Sequence, residues 1–94
     1  MVKHIVTWQF KPGTQKEVKE FLKGLEGLMG VVECLRSVET HYNENEKEGI
    51  TGALICRFDN MEDLASYAQD PRHLAVAALC KPIRTARIAV DFTE

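Results

Sequence analysis

The sequence lacks the features that mark several large classes of protein. Its 94 residues contain no C-x-x-C pair, and the three cysteines, Cys34, Cys56 and Cys80, are widely spaced. An odd number of scattered cysteines indicates neither a disulfide framework nor a zinc–thiolate site, so we expect three reduced thiols. No apolar run approaches the length of a membrane span, and the amino terminus lacks the organisation of a signal peptide. We therefore expect a cytoplasmic protein with no membrane partner.

An excess of charge of one sign is also missing. The chain carries 12 Lys and Arg residues against 14 Asp and Glu residues, which gives a net charge of −2. This balance makes nucleic acid and anionic membranes poor partners. The three histidines, His4, His41 and His73, lack the spacing of metal ligands, and there is no Gly-rich phosphate loop. We expect no metal and no cofactor.

The first third of the chain shows two clear periodicities. Residues 2–10 alternate between two faces, which predicts a half-buried strand that Pro12-Gly13 ends. Apolar residues at helical spacing then continue as far as Val32 and predict an amphipathic helix. Thr14 is the expected cap of this helix, with Glu17 completing a capping box.

The rest of the chain repeats this alternation of strand and helix patterns. Asp59 or Asn60 is the expected cap of the second helix, with Glu62 at the capping-box position for Asp59. The patterns predict strands over 34–42, 50–58 and 86–92, a helix over 61–69, and a further helix that begins at Pro71 and ends before Pro82.

The order β-α-β-β-α-β predicts an α+β, ferredoxin-like fold with a single domain over residues 1–94. Four antiparallel strands then form one sheet with the helices on one face. The alternation assigns two sets of side chains. Under the helices it places His4, Trp8, Leu54, Ile88 and Val90. On the other face it places Ile5, Thr7, Ala53, Ile55 and Ala89, mixed with the polar residues Lys3, Gln9, Arg57, Arg87 and Asp91. The second face is too apolar for water alone, so we expect a homodimer that packs sheet against sheet.

The residues closest to chemistry lie around a break between two helices. Pro71 cannot continue the preceding helix, so Tyr67 falls in the last turn of one helix and His73 in the first turn of the next. A neutral His73 can act as a base, Tyr67 can orient it or stabilise an oxyanion, and His4 can add a donor. An apolar wall for a small ligand is predicted from Trp8, Phe21, Leu25, Leu54 and Val76.

The same residues also have a purely structural interpretation. The Tyr67 hydroxyl can tie down the helix break, and His73 can form a local hydrogen bond. A histidine on an apolar strand face, such as His4, is commonly a core residue with a satisfied hydrogen bond. Both interpretations remain open from the sequence.

Two segments resemble the stress-responsive A/B-barrel domain (Dabb) family, a branch of the dimeric α/β-barrel proteins. They are the opening strand VKHIVTWQFK at residues 2–11, and Tyr67 followed by Asp70-Pro71-Arg72-His73 and Val76. The resemblance covers essentially the whole chain. It implies a homodimer in which two sheets form one barrel.

The resemblance implies three possible functions. Some family members are stress-induced, very stable proteins without an assigned reaction, and this function is the one we expect. Plant polyketide cyclases are similar, and their Tyr/His pair and further His match Tyr67, His73 and His4. They carry a pocket His where this chain has Gly52 and a Tyr where it has Leu25, so the substrate is not carried over. More remotely, other branches of the superfamily degrade haem, an analogy of fold alone.

Overall fold

Four strands and three α-helices build one layer of sheet and one of helices. The computed structural model describes residues 1–94. The elements are β1 (Val2–Phe10), α1 (Gln15–Glu26), β2 (Ser37–Tyr42), β3 (Ile50–Phe58), α2 (Met61–Gln69), α3 (Pro71–Ala77) and β4 (Arg84–Thr93). The strands are antiparallel in the order β2-β3-β1-β4. This is the ferredoxin-like arrangement that the element order predicts.

The core lies between the sheet and the helices, because the alternating residues of β1 and β3 meet the apolar stripe of α1 there. Val18, Phe21, Leu22 and Leu25 of α1 are buried against Val6 and Leu54 of the two central strands. The longest helix, α1, has 12 residues, and no helix has the length and apolarity of a membrane span.

The helix α1 ends at Glu26, although the apolar periodicity runs on to Val32. Leu28 and Val32 are still buried, but they lie in tight turns after the helix. Gly30 in that segment has φ +83°, a left-handed conformation that favours glycine and stops a helix. The periodicity therefore predicted buried residues correctly except at Met29, which is 46% exposed, and the helix ends before the periodicity does.

The predicted capping boxes do not form. Thr14 precedes α1 with φ −104° and ψ 19°, away from extended backbone, and its hydroxyl donates backwards to the carbonyl of Lys11 at 2.6 Å. Asn60 caps α2 by accepting from the backbone N–H of Asp63 at 2.8 Å. Asp59 instead pairs with Arg36 at 2.8 Å, since the guanidinium is the stronger donor for its carboxylate.

Two strand boundaries differ from the predictions, whereas α3 ends before Pro82 as predicted. The strand β2 begins at Ser37, because Cys34 belongs to the preceding turn, where its thiol contacts the carbonyl of Asp63 at 3.4 Å. The helix α3 ends at Ala77 and gives way to tight turns before Pro82. The strand β4 begins at Arg84, which pairs with the last residue of β1.

The assignment of β4 to the two faces was wrong. Residues directly opposite one another in a ladder share a face, and Ile88 lies opposite Thr7 while Val90 lies opposite Ile5. Ile88 and Val90 therefore point away from the helices and are 66% and 52% exposed. The alternation within β4 could not say which of its two sets of residues meets the core.

The face without helices is consequently more apolar than the sequence indicated. We call it the outer face. Its apolar residues are Ile5, Ala53, Ile55, Ile88, Val90 and Phe92.

Candidate functional site

The break between α2 and α3 is held by a network around Arg72. The Asp70 carboxylate caps α3 by accepting from the backbone N–H of Arg72 at 2.8 Å, and it also accepts from the Arg72 guanidinium at 2.7 Å. That guanidinium further donates to Glu33 at 3.1 Å and to the carbonyl of Val31 at 2.7 Å. These bonds to Arg72 hold the pKa of Asp70 at about 2 and lower that of Glu33. The network fixes the break against the segment that follows α1.

This corner places Tyr67 and His73 side by side. Their ring centroids are 4.3 Å apart with the planes tilted by 40°. The Tyr67 hydroxyl is buried and has no hydrogen-bond partner, so the two side chains are in contact without a hydrogen bond between them. The Nδ1 of His73 lies 3.3 Å from the carbonyl oxygen of Ala68. Because a carbonyl only accepts, Nδ1 carries the proton and the lone pair of the neutral ring is on Nε2.

A second polar pair comes from the sheet. His4 of β1 and Asp91 of β4 are directly opposite in the ladder, and the His4 Nδ1 donates to the Asp91 carboxylate. The sequence analysis missed Asp91, because it placed this residue on the outer face. Only the register of β4 against β1 brings the carboxylate to the helix side, and that register is not visible in the pattern of β4 alone.

Both pairs line one cavity of about 280 Å³ between the sheet and the α2–α3 corner. Twelve of its 17 lining residues are hydrophobic. Four of the five predicted wall residues are among them, namely Trp8, Phe21, Leu25 and Leu54. Val76 is not, since it packs instead against α1, where its Cγ1 lies 3.0 Å from the position of a Cβ on Gly24. The sequence analysis missed Met61, Ala77, Cys80, Arg84 and Arg87, which the fold brings to the same lining.

Two positions that separate this chain from the plant cyclases behave differently. Leu25 lines the cavity, so an apolar group stands there. Gly52 lies outside that cavity, and a Cβ added to it would meet Leu22 and Phe10 at 3.4 Å. The change at Gly52 therefore leaves the cavity lining unaffected.

The cavity keeps His73 in its neutral form. Burial lowers the pKa of His73, and the charges of His4 and Arg87 lower it further, against the raising effects of the Ala68 carbonyl and Asp70. Burial also raises the pKa of the Tyr67 hydroxyl and of the Cys80 thiol. At neutral pH the site therefore offers a neutral imidazole, a phenol and a protonated thiol.

His41 plays no part in this arrangement. It is exposed on β2, 3.5 Å from Glu39, and does not line the cavity. Nowhere in the chain do three or more His, Cys, Asp or Glu side chains come together as a set of metal ligands.

The comparison with known proteins agrees with this geometry. The family model described as "Stress responsive A/B Barrel Domain" matches residues 2–94. The chain belongs to this Dabb family. The resemblance seen in the opening strand and in the helix break is thus confirmed, and with it the expected placement in the stress-responsive A/B-barrel domain family.

The relatives of this Dabb protein include a stress-response protein, an enzyme and a protein of unknown function. It is 28% identical to a stress-response A/B barrel domain-containing protein of Arabidopsis thaliana, over 96% of this chain and 83% of that one. It is 23% identical to the olivetolic acid cyclase of Cannabis sativa, over 98% and 95% of the two chains. A crystal structure from Bacteroides fragilis, of a dimeric protein of unknown function with a ferredoxin-like fold, superimposes with a TM-score of 0.84 at 26% identity, over 99% and 95%.

The lowered pKa of His73 generates a prediction about pH. The His73 side chain takes up its proton at a higher pH in the unfolded chain than in the folded chain. Protonation therefore favours the unfolded state. The free energy of unfolding falls as the pH drops from above 6.5 to below the lower pKa of the folded state. We expect an NMR titration to give His73 a pKa below 6.5. We also expect His73→Gln to lose less stability than the wild type between about pH 7.5 and about pH 5.5 in urea unfolding. The exposed variant His41→Gln is the control, and a His73 pKa at or above 6.5 would contradict the assignment.

Proposed function

We propose that this Dabb protein is a homodimer that binds a small, largely apolar carbonyl compound in the cavity beside the α2–α3 corner. The observation that carries the proposal is the buried, unpartnered Tyr67 hydroxyl in a lining of which 12 of 17 residues are hydrophobic. A buried hydroxyl without a partner costs about 1–3 kcal/mol. A ligand that presents an oxygen acceptor to Tyr67 removes this cost.

The size of the cavity limits the ligand. An engineered apolar cavity of roughly 150 Å³ holds benzene, and this cavity measures about 280 Å³. It therefore has room for a molecule larger than benzene, such as a ketone with a chain of about eight carbons. Trp8, the single tryptophan of the chain, lines the cavity and provides a fluorescence signal for occupancy.

A second candidate function is proton transfer on that carbonyl compound. It is favoured by the tautomer of His73, whose Nδ1 is committed to Ala68 and whose Nε2 has a free lone pair. In this step Nε2 takes a proton from the carbon next to the carbonyl. The electron pair of the broken C–H bond forms the carbon–carbon double bond of the enolate, and the π pair of the C=O bond moves to the oxygen. The Tyr67 hydroxyl donates to the resulting enolate, and His4, oriented by Asp91, is the auxiliary donor. The Cannabis relative, at 23% identity, is named an olivetolic acid cyclase, which supports an enzymatic use of this cavity.

The exposed apolar residues of the outer face support the proposal of a homodimer. Ile88, Val90 and Phe92 are 66%, 52% and 40% exposed there, beside Ile5 and Ile55. Exposed apolar residues clustered on one sheet face are typical of an interface, and a two-fold axis pairs such a face with its own copy. The Bacteroides relative, at 26% identity, is described as dimeric. The cavity lies on the helix side of the sheet, opposite this contact, so the two stay separate.

Binding is tested with octan-2-one, which has an eight-carbon skeleton and a carbonyl acceptor. We expect saturable binding in calorimetry, with a change in Trp8 emission. Tyr67→Phe should weaken binding about tenfold, because the ketone loses its hydrogen-bond donor. The control Tyr42→Phe alters the only other tyrosine, whose hydroxyl donates to Glu46 away from the cavity, and should leave the affinity unchanged. No saturable binding to the wild type would contradict the proposal.

The same samples in D₂O distinguish binding from catalysis. If His73 removes the proton next to the carbonyl, the wild type exchanges deuterium into octan-2-one and His73→Gln does not, as read by proton NMR. Binding without exchange leaves the protein a binder and removes the second candidate.

The homodimer is tested by sedimentation. We expect a dilute wild-type sample to show twice the chain mass of 10.6 kDa, and Ile88→Asp to shift it towards the monomer, because the carboxylate would be buried against an apolar surface. Glu20→Asp, on the exposed side of α1, is the control. A monomeric wild type at micromolar concentration would refute this part of the proposal.

A further inference from the structure

Two arginines of the chain have no carboxylate partner, and both line the cavity. Three of the five arginines in the sequence form ion pairs. Arg36 pairs with Asp59, and Arg57 pairs with Glu94. Arg72 pairs with both Asp70 and Glu33. Arg84 and Arg87 form none and are exposed at the start of β4, at the open side of the cavity lining. Guanidinium groups without an ion-pair partner beside an apolar cavity can bind a negatively charged group of a ligand.

The register explains why both arginines reach this side of the sheet. Arg87 lies directly opposite Trp8, and Arg84 lies opposite Phe10 beyond a bulge in the ladder, so both share the helix face with these aromatic residues. The strand β4 is an edge strand, and helices do not cover its inner side. The charge of Arg87 is felt by His73 within the cavity, and the charges of both arginines are felt by Cys80.

The surrounding charges leave this region positive. Lys81 joins Arg84 and Arg87 around an adjoining polar depression. The acidic side chains nearby are already engaged, since Asp91 accepts from His4 and Asp70 accepts from Arg72. Asp91 still opposes a second negative charge on a ligand. The lining therefore suits one singly charged group.

We propose that the ligand of this cavity is an amphipathic carboxylate, with its apolar body among the helices and its carboxylate held by Arg84 and Arg87 at the cavity mouth. This inference rests on the proposed binding function and names the class of ligand. The guanidinium fork matches a carboxylate with two parallel hydrogen bonds, which a point charge on Lys81 alone would not supply. A carbonyl at the inner end of the same molecule accepts a hydrogen bond from Tyr67. The two ends of the ligand are thus bound by different parts of the cavity lining.

The test compares three probes of nearly equal length by calorimetry. They are octan-2-one, 7-oxooctanoate, which carries a carboxylate in place of the terminal methyl of octan-2-one, and the neutral methyl ester of 7-oxooctanoate. We expect 7-oxooctanoate to bind about tenfold more tightly than either neutral probe at low ionic strength. This preference should shrink as salt is added, because the carboxylate binds at an exposed position.

The arginines are tested by the double variant Arg84→Gln, Arg87→Gln. We expect the ratio of the dissociation constants of octan-2-one and 7-oxooctanoate to fall to about one. The control Lys16→Gln, Lys23→Gln removes the same charge from the exposed side of α1 and should keep the wild-type ratio. Binding of octan-2-one to the double variant reports that its cavity is intact.

The outcomes separate this inference from the function on which it rests. Equal affinity of the wild type for all three probes overturns the carboxylate and leaves the binding function in place. A preference for 7-oxooctanoate that survives in the double arginine variant overturns the assignment to Arg84 and Arg87. Binding of none of the probes overturns both the inference and the proposed function.

Discussion

The bonds from the Arg72 guanidinium to Asp70, Glu33 and the carbonyl of Val31 hold the break between α2 and α3 in place. Pro71 makes the break, because it has no N–H to continue the first helix and a backbone suited to start the second. Arg72 then fixes the angle by tying this corner to the segment after α1. Tyr67 and His73 are in contact only because two consecutive helices meet in this way, and the shape of the cavity follows from the same corner.

The cavity combines walls of opposite character. The helix corner offers groups without charge at neutral pH, since burial lowers the pKa of His73 and raises that of Tyr67. The inner side of β4 offers charge, with Asp91 bound to His4 and two arginines free. Between them the lining is apolar. A ligand with a neutral polar end, an apolar body and an anionic end would match the three parts of the lining. The carbonyl of the ligand belongs at the helix corner, and its carboxylate belongs beside the arginines of β4.

The sequence predicted the fold and most of the cavity for identifiable reasons. Alternation in β1 and β3 is unambiguous because both strands are central, and Pro71 marks the helix break by covalent geometry. The edge strand β4 has apolar residues on one set of positions and Ala89, Arg87 and Asp91 on the other. Hydropathy placed the apolar set inward, whereas in the structure that set forms the outer face. Asp91 and Arg87 were missed together for this reason, whereas Arg84 lies before the predicted start of the strand. Val76 was misplaced because α3 turns it towards Gly24.

Both proposals require that a ligand enters between the helix corner and β4. The NMR signals of the three histidines of the chain report on this directly. His4 and His73 line the cavity, whereas His41 lies on β2 outside it. We would record the side-chain nitrogen–proton NMR correlations of the histidines while adding 7-oxooctanoate. We expect the signals of His4 and His73 to shift to saturation together while those of His41 stay unchanged. Shifts confined to His41, or absent from all three, would show that the ligand does not enter this cavity.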